Sequence, residues 1–245
     1  LQAALAPGDD AAHRDEADDE RDERGQSVCE LHGRIVAPAG RAREPGRGAR
    51  AVKRRPKPPQ RPAGGFDRLG WLAGARRVRS PNADARPAGV AVTLVVVHGI
   101  SLPPGRFGGE AIARLFTNRL DPAAHPSFRA IADLRVSAHF LIRRDGAMVQ
   151  FVAAGDRAWH AGTSQWRGRE RCNDYSIGIE LEGTDERPYT ARQYARLAQI
   201  VRRLAARWPI ADVAGHSDVA PGRKTDPGPC FDWPRLARLL GGDRD

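Results

Sequence analysis

The chain has 245 residues and carries 40 lysine and arginine side chains against 30 aspartates and glutamates, a formal net charge of +10. A chain of this length can form one or two domains with a sizeable core. No apolar run approaches the roughly 20 residues of a membrane span, so the composition excludes helical membrane proteins and we expect no membrane partner.

The positive charge comes almost entirely from arginine, because lysine occurs only at positions 53, 57 and 224. The basic residues are interspersed with acidic ones, so we expect no nucleic-acid partner, although a basic nucleic-acid binder stays open as an alternative. Cys29, Cys172 and Cys230 include no C-x-x-C pair, which argues against a disulfide framework and favours a reducing compartment. Since no signal peptide is visible either, we expect a cytoplasmic protein.

Residues 1–64 differ in composition from the rest of the chain. They contain the charge run DEADDERDERG and the tract GRAREPGRGARAVKRRPKPPQRPAGG. Neither stretch can bury enough apolar surface to offset the entropy lost on ordering, so the sequence predicts a disordered, low-complexity extension. A start codon assigned too far upstream is the alternative explanation. The globular pattern begins at Gly65, and residues 65–245 form one predicted domain.

The pattern after Gly65 predicts an α/β domain with a mixed central β-sheet flanked by helices. Strands are predicted in VTLVVV (92–97), LRVSAHFLI (134–142), AMVQFV (147–152) and YSIGIELEG (175–183), the second and the fourth with alternating polarity. The turn RRDG between the second and third predicts a hairpin. Helices are predicted in GEAIARLFTNRL (109–120) and TARQYARLAQIVRRLAARW (190–208), the latter with a capping-box spacing of Thr190 and Gln193.

Three residues next to apolar stretches are candidates for a metal site. His98 directly follows the run 92–97, His216 follows ADVAG, and Asp226 lies in GHSDVAPGRKTDPG (215–228), which its prolines and glycines predict to be a loop. Two imidazoles and a carboxylate form a three-ligand zinc set with the fourth position open, as in catalytic sites. Two other interpretations stay open at this point, a core histidine at position 98 and an Asx turn at Asp226.

Two charged residues are candidates for catalysis. Lys224 is the only lysine after position 57, and a compact ammonium beside an oxyanion would explain it, with chance as the alternative. Glu180 lies on the polar face of the strand predicted at 175–183, where Gly178 would leave room for a ligand, and it is a candidate general base. An ordinary exposed glutamate beside Glu182 is the alternative.

Five stretches occur in the order of a known family across nearly the whole globular part. They are GWLAGARRVRSPNADARP, VVVHGISLPPGRFGG, LRVSAHFLIRRDG, RAWHAGTSQWRGRERCNDYSIGIELEGTD and GHSDVAPGRKTDPGPCFDW. Through them the chain resembles the zinc amidases of the N-acetylmuramoyl-L-alanine amidase family, whose fold is shared with peptidoglycan recognition proteins. Within that family it is most similar to cytosolic enzymes that act on anhydro-muropeptides during cell-wall recycling.

The resemblance implies one Zn²⁺ per chain, a reaction and a set of roles. The reaction is hydrolysis of the amide between the lactyl group of (anhydro-)N-acetylmuramic acid and L-alanine of the stem peptide, by a monomer whose partner is this small substrate. The implied zinc ligands are His98, His216 and Asp226. Glu180 is the implied acid and base, and Lys224 the implied stabiliser of the oxyanion.

The resemblance also implies residues that contact the substrate. Arg135 and Arg171 match family positions that face it, and forked guanidiniums suit the carboxylates of a stem peptide. Trp159 and His160, in RAWHAG, are expected to line the cleft, with core packing as the alternative for Trp159. His125 and His139 are assigned to structure.

One departure from the family pattern bears on the substrate. The pattern after the first ligand is commonly HNIS, and here it is HGIS, so Gly99 lacks an amide that could bind the muramic acid or its peptide. Two other functions compete with the recycling amidase: a non-catalytic peptidoglycan-binding module and an autolysin-type amidase of polymeric peptidoglycan. The presence of all three ligands and both catalytic residues favours an enzyme, and an exported autolysin would require a signal sequence.

Overall fold

The computed structural model describes residues 65–241, so the extension predicted for residues 1–64 lies outside the described residues. The helices and strands follow one another in the following order: β1 (Arg76–Arg77), β2 (Ala83–Asp84), β3 (Leu94–Ile100), α1 (Ala111–Phe116), β4 (Phe140–Ile142), β5 (Met148–Gln150), β6 (Arg157–Ala158), β7 (Gln165–Trp166), β8 (Arg169–Glu170), β9 (Ser176–Glu182), α2 (Ala191–Ala205), β10 (Asp212–Gly215), α3 (His216–Val219) and α4 (Trp233–Leu240). Within this range, no helix has the length and apolar character needed to cross a bilayer.

A mixed six-stranded sheet in the order β1-β5-β4-β9-β3-β10 forms the centre of the domain. The strands β4, β9, β3 and β10 are parallel to one another, whereas β5 is antiparallel to β4. The β4–β5 hairpin predicted from RRDG and the predicted α/β class with a mixed sheet are therefore confirmed. Two small two-stranded sheets, β2–β6 and β7–β8, lie outside the central sheet.

Both faces of the sheet are covered, and for this reason its central strands are almost entirely apolar or buried. Every residue of β9 is buried, and so is every residue of β3 except Gly99. Helices α2 and α4 pack on one face through Tyr194, Leu197, Val201, Leu204 and Leu236. On the other face α1 packs through Ile112, Leu115 and Phe116.

Helix α2 begins as its sequence predicts. The Thr190 side chain accepts a hydrogen bond from the backbone N–H of Gln193, and the Gln193 side chain accepts one from the backbone N–H of Thr190. This reciprocal capping box satisfies two N–H groups that a helix start otherwise leaves unpaired. The buried Gln193 amide also donates to the carbonyl of Glu182, which ties α2 to the end of β9.

Three predicted elements differ from the structure. Only Phe140–Ile142 of the strand predicted at 134–142 pairs in the sheet, and Leu134 is exposed. Two of the polar positions that suggested a solvent-facing side are buried, because Ser137 and His139 make hydrogen bonds inside the protein, whereas Arg135 is exposed. The helix predicted at 109–120 is limited to Ala111–Phe116.

The third difference concerns the segment predicted to be a loop at 215–228, which begins with the one-turn helix α3. The carboxylate of Asp218 accepts the backbone N–H of Gly215 at 2.7 Å and so caps this turn. The cap thus stabilises one helical turn in a segment whose glycine and proline content favours a loop.

His139 is a buried hydrogen-bonding residue, in agreement with the structural role assigned to it. Its Nδ1 accepts the backbone N–H of Gly178 at 3.0 Å, and its Nε2 donates to the carbonyl of Asp156 at 3.1 Å. Burial, and next the neighbouring Arg86 charge, lower the pKa of His139 to about 3. The ring therefore stays neutral over the range in which most proteins are folded.

This lowered pKa makes stability depend on pH. Below a pH of about 6.5 the unfolded chain binds a proton at His139, whereas the native state binds it only near pH 3. The contribution of neutral His139 to the unfolding free energy is therefore complete above pH 6.5 and is lost as the pH falls from 6.5 towards 3. We expect a loss of about 2 kcal/mol from this residue at about pH 5. Urea unfolding at several pH values should give a shallower decline of the unfolding free energy for His139→Gln than for the wild type.

His125→Gln is the matched control, because it removes a histidine that only caps the local turn Pro126–Phe128. Equal pH slopes for His139→Gln and the wild type would contradict the assignment.

Candidate active site

The pairing of β3 with β9 brings His98 next to Glu180. The two residues are partners in the parallel register, and both side chains point to the face opposite α2 and α4. His98 lies inside β3, which continues to Ile100, and not at the strand end that the apolar run predicted. Parallel strands end at the same edge of a sheet, so the neighbouring β10 delivers His216 directly after its own end.

Three ligand-type atoms converge between these strands. His98 Nδ1 lies 3.0 Å from His216 Nδ1 and 3.3 Å from Asp226 Oδ2, and His216 Nδ1 lies 3.1 Å from the same carboxylate oxygen. Asp226 is held in place by its backbone carbonyl, which accepts the N–H of Ser217 at 2.8 Å. All three residues are buried, and they form the group in the described part of the chain that could hold a metal ion.

The electrostatics favour the forms of these residues that bind metals. Burial, followed by the proximity of His216, lowers the pKa of His98 to about 4, which keeps the imidazole neutral. Burial alone would raise the pKa of Asp226, but the adjacent imidazoles of His216 and His98 outweigh it and hold that pKa far below its usual range. Neutral imidazoles and an ionised carboxylate are the ligand forms that zinc requires.

Glu180 has the environment of a functional carboxyl and not of an exposed one. Its side chain is buried on β9, and its Oε2 has no hydrogen-bond partner among residues 65–241. Burial, followed by the Asp226 charge, raises the pKa of Glu180 to about 8, while Lys224 acts in the opposite direction. A buried carboxylate oxygen without a partner is costly, and a cation between Glu180 and the three ligand atoms would remove that cost.

A cavity of about 380 Å³ opens over these residues. The five predicted metal-binding and catalytic residues line it, and so do Arg135, Trp159 and His160. Lys224 is half-buried in its wall, with its backbone N–H bonded to the carbonyl of Ala220 at 3.0 Å.

The residues predicted to bind the substrate are divided between two cavities. Arg135 is exposed at the first cavity, where it also donates to the carbonyl of Asp133 at 3.1 Å. Arg171 instead lines a neighbouring cavity of about 600 Å³, and it pairs with Asp174 at 3.1 Å. Both cavities include Arg223 and Gly162, so they adjoin.

His160 fills the space that was expected to be open over Gly178. A Cβ atom at Gly178 would lie 2.4 Å from Cγ of the His160 ring, so the expectation that this glycine leaves room for a ligand is wrong. The glycine is required for the imidazole to pack directly on β9, behind His98.

Two further residues around the site were not predicted from the sequence. Arg223 donates to the carbonyls of Ala161 and Thr163. Its position beside the candidate Lys224 is the sequence feature that could have indicated it. Asn173 accepts the backbone N–H groups of His160 and Ala161, and no local pattern distinguishes it from any other loop asparagine.

Gly99 has a packing role that its sequence position does not reveal. A Cβ atom there would lie 2.4 Å from the hydroxyl of Tyr189, which donates at 3.0 Å to the carbonyl of Pro227, next to Asp226. The backbone N–H of Gly99 also reaches Asp226 Oδ2 at 3.3 Å. A side chain at position 99 would first displace Tyr189, so the glycine makes room for the hydroxyl that anchors the Asp226 loop.

Comparison with known proteins identifies the same region. The family described as N-acetylmuramoyl-L-alanine amidase matches residues 88–229. The 1,6-anhydro-N-acetylmuramyl-L-alanine amidase AmpD of Escherichia coli K12 is 61% identical over 173 residues, which are 70% of this chain and 94% of the relative. The Haemophilus influenzae protein of the same name is 47% identical over 169 residues, covering 68% of this chain and 92% of the relative.

Solved structures agree with the sequence comparison. A crystal structure of a selenomethionine derivative of AmpD has a TM-score of 0.69 at 58% identity and covers 71% of this chain and 98% of its own. The endolysin amidase LysCS of Clostridium intestinale, at 20% identity and a TM-score of 0.50, is alike in fold.

The contact between Gly99 and Tyr189 can be tested by a double-mutant cycle. We expect Gly99→Ala to cost about 1–3 kcal/mol of unfolding free energy because the new methyl overlaps the hydroxyl. Tyr189→Phe alone should cost about 1 kcal/mol for the lost hydrogen bond. In the double variant the overlap is relieved, so its loss should be smaller than the sum of the two, as measured by urea unfolding. Additive losses would show that the two residues do not compete for this space.

Proposed function

This chain belongs to the N-acetylmuramoyl-L-alanine amidase family and is an amidase of anhydro-muropeptides in cell-wall recycling, and we propose that one zinc ion on His98, His216 and Asp226 serves the hydrolysis together with Glu180 and Lys224. The observation that carries this assignment is the convergence of three ligand atoms beside the partnerless carboxylate oxygen of Glu180. The bond cleaved is the amide between the lactyl group of anhydro-N-acetylmuramic acid and L-alanine. We assign the activity to the domain predicted at 65–245.

The donor set fits zinc in number and type. Two neutral imidazoles and one carboxylate are a common catalytic zinc set, which leaves a position open for reactants. When bound, the ion supplies Lewis-acid polarisation of the attacking water and of the scissile carbonyl. The chain contributes the ligand atoms and a buried environment in which such polarisation is strong.

Glu180 carries the proton through the reaction. Its carboxylate takes a proton from the attacking water while the water oxygen bonds to the lactyl carbonyl carbon. The same proton then goes to the nitrogen of the alanine as the carbon–nitrogen bond breaks, giving a lactyl carboxylic acid and a free peptide amine. Burial raises the pKa of Glu180, which makes it a stronger base, and a bound cation would lower that pKa enough to keep it ionised at neutral pH.

Lys224 stabilises the charge that develops on the carbonyl oxygen. Lys224 lines the same cavity as Glu180 and the ligand residues, and the charge of a half-buried side chain acts more strongly there than in water. The segment 215–228 thus provides two zinc ligands and one cation, which explains why a short segment holds so many ionisable groups.

The two adjoining cavities accommodate the rest of the substrate in this proposal. Trp159, half-buried at the first cavity, gives the sugar an apolar surface, and Arg135 lies at its rim. Arg171, at the second cavity, is placed for a carboxylate further along the stem peptide. Forked guanidiniums bind carboxylates in a bidentate manner, which gives the basic domain a use.

We also propose that the enzyme acts as a cytoplasmic monomer on this small molecule, with no membrane or nucleic-acid partner. The free thiols of Cys172 and Cys230 in the described part of the chain support a reducing compartment. An autolysin acting on polymeric peptidoglycan is the competing amidase function. A non-catalytic binding module is disfavoured, because the ligand atoms and Glu180 are all in place.

The first test presents the purified full chain, loaded with zinc, with anhydro-muramyl tripeptide and separately with intact sacculi. We expect mass spectrometry to detect free peptide from the small muropeptide, and chelation to abolish it. Glu180→Gln should lower kcat by about 10²–10⁴-fold with zinc still bound, since the proton carrier is lost. Comparable release from sacculi would replace the recycling function with an autolysin, and no release from either by the zinc-loaded protein would leave a binding module.

The second test separates charge from shape at Lys224. We expect Lys224→Ala to lower kcat by about 10²–10³-fold with little change in KM, because the charge acts on the transition state. Lys224→Arg keeps the charge but not the compact geometry, so it should recover only part of the rate. Equal rates for the alanine variant and the wild type would remove Lys224 from the mechanism, and unfolding midpoints control for damage to the fold.

A further inference from the structure

His160 is bonded to the ring nitrogen of His98 that faces away from the ligand cluster. His98 Nε2 lies 3.0 Å from His160 Nδ1, and His160 Nε2 lies 3.2 Å from the hydroxyl of Ser176. The two imidazoles are nearly perpendicular, with centroids 5.0 Å apart. Since the resemblance to the family implied only a cleft-lining role for His160, this contact to a metal ligand is a separate observation.

The Ser176 end of this chain of hydrogen bonds determines which atom carries the hydrogen in each bond. The Ser176 hydroxyl donates its only hydrogen to the carbonyl of Cys172 at 2.6 Å, so towards His160 it can only accept. His160 therefore carries its hydrogen on Nε2, and in the neutral ring Nδ1 is an acceptor. The hydrogen between the two imidazoles then belongs to His98 Nε2.

The position of this hydrogen also determines which nitrogen of His98 can bind a metal in the ligand cluster. With its hydrogen on Nε2, neutral His98 presents the lone pair of Nδ1 to His216 and Asp226. His216 has the same arrangement by a shorter route, because its Nε2 lies 3.3 Å from the carbonyl of Ala161 and donates to it. Both histidines thus offer Nδ1, one through a direct carbonyl contact and the other through His160 and Ser176.

We propose that His160, supported by Ser176 and the Cys172 carbonyl, is a positioning residue that holds His98 in the tautomer able to bind the metal. This inference rests on the metal site of the proposed function. Histidine ligands commonly donate their second N–H to an acceptor that fixes the tautomer and the ring orientation, and loss of that acceptor typically costs 10–100-fold in metal affinity or activity. The packing agrees, because Gly178 leaves the place where the His160 ring lies.

The test measures the tautomer of His98 and the zinc affinity separately. Long-range ¹H–¹⁵N NMR on the metal-free full chain at neutral pH should show His98 with its hydrogen on Nε2 in the wild type. His160→Ala should give a mixture of tautomers, and its zinc dissociation constant, measured by chelator competition, should rise about 10–100-fold. His160→Asn should recover part of the affinity, since its amide oxygen can accept from His98 Nε2 near the position of the lost Nδ1.

Two more variants complete the design. Ser176→Ala removes the acceptor for His160 and should weaken zinc binding less than His160→Ala does, and it tests the same chain of bonds if His160→Ala does not fold. His125→Asn is the matched control, because among residues 65–241 His125 bonds within its own turn, and it should leave the tautomer and the affinity unchanged.

Unchanged tautomer and affinity in His160→Ala would overturn the inference, and a loss of activity alone would instead place His160 in contact with the substrate. Failure of the proposed function is distinguishable from this. If the proposed function failed, the wild-type protein would bind no zinc or release no peptide. The tautomer of His98 in the metal-free protein would still test the chain of hydrogen bonds.

Discussion

The in-register parallel pairing of β3 with β9 is the constraint on which the site depends. It places His98 and Glu180 side by side on one face of a sheet whose two faces are both covered. A slip of one strand by one residue would turn its site residue into the opposite core and separate His98 from Glu180, since side chains alternate between faces. The apolar residues between them, which pack against α2 on the other face, hold this register. Residues that stabilise the sheet and residues of the proposed active site therefore alternate along the same two strands.

The same placement creates an electrostatic cost that explains the chemistry of the site. Glu180 and Asp226 lie near one another in a buried region, and each raises the cost of ionising the other. The imidazoles around Asp226 compensate for its charge, whereas Glu180 keeps an oxygen without a partner. A cation bound as proposed would satisfy both carboxylates at once. The arrangement of the three ligand atoms and Glu180 is thus complementary to a cation.

The parts of the site that do not belong to strands are fixed by hydrogen bonds to backbone groups and to one hydroxyl. The Asp226 loop is tied through Ser217 and through the Tyr189 hydroxyl to Pro227, in the space left by Gly99. His160 is tied through Ser176, and the adjoining backbone N–H groups through Asn173. Such supports fix ring orientation and ligand spacing at little cost in stability, because the buried polar groups that provide them are themselves paired.

The sequence by itself determined the α/β class, the hairpin and the α2 capping box, and its likeness to a known family predicted the set of site residues. These features depend on local pattern or on motif order, which the chain carries without folding. Only the tertiary structure decided that β4 is short with Ser137 and His139 buried, and that α3 starts at His216. It also decided that the His160 ring occupies the space beside Gly178 and the Tyr189 hydroxyl the space beside Gly99. Each of these outcomes depends on partners from distant parts of the chain. Burial and hydrogen bonding between such segments are properties of the packed molecule, and no local pattern encodes them.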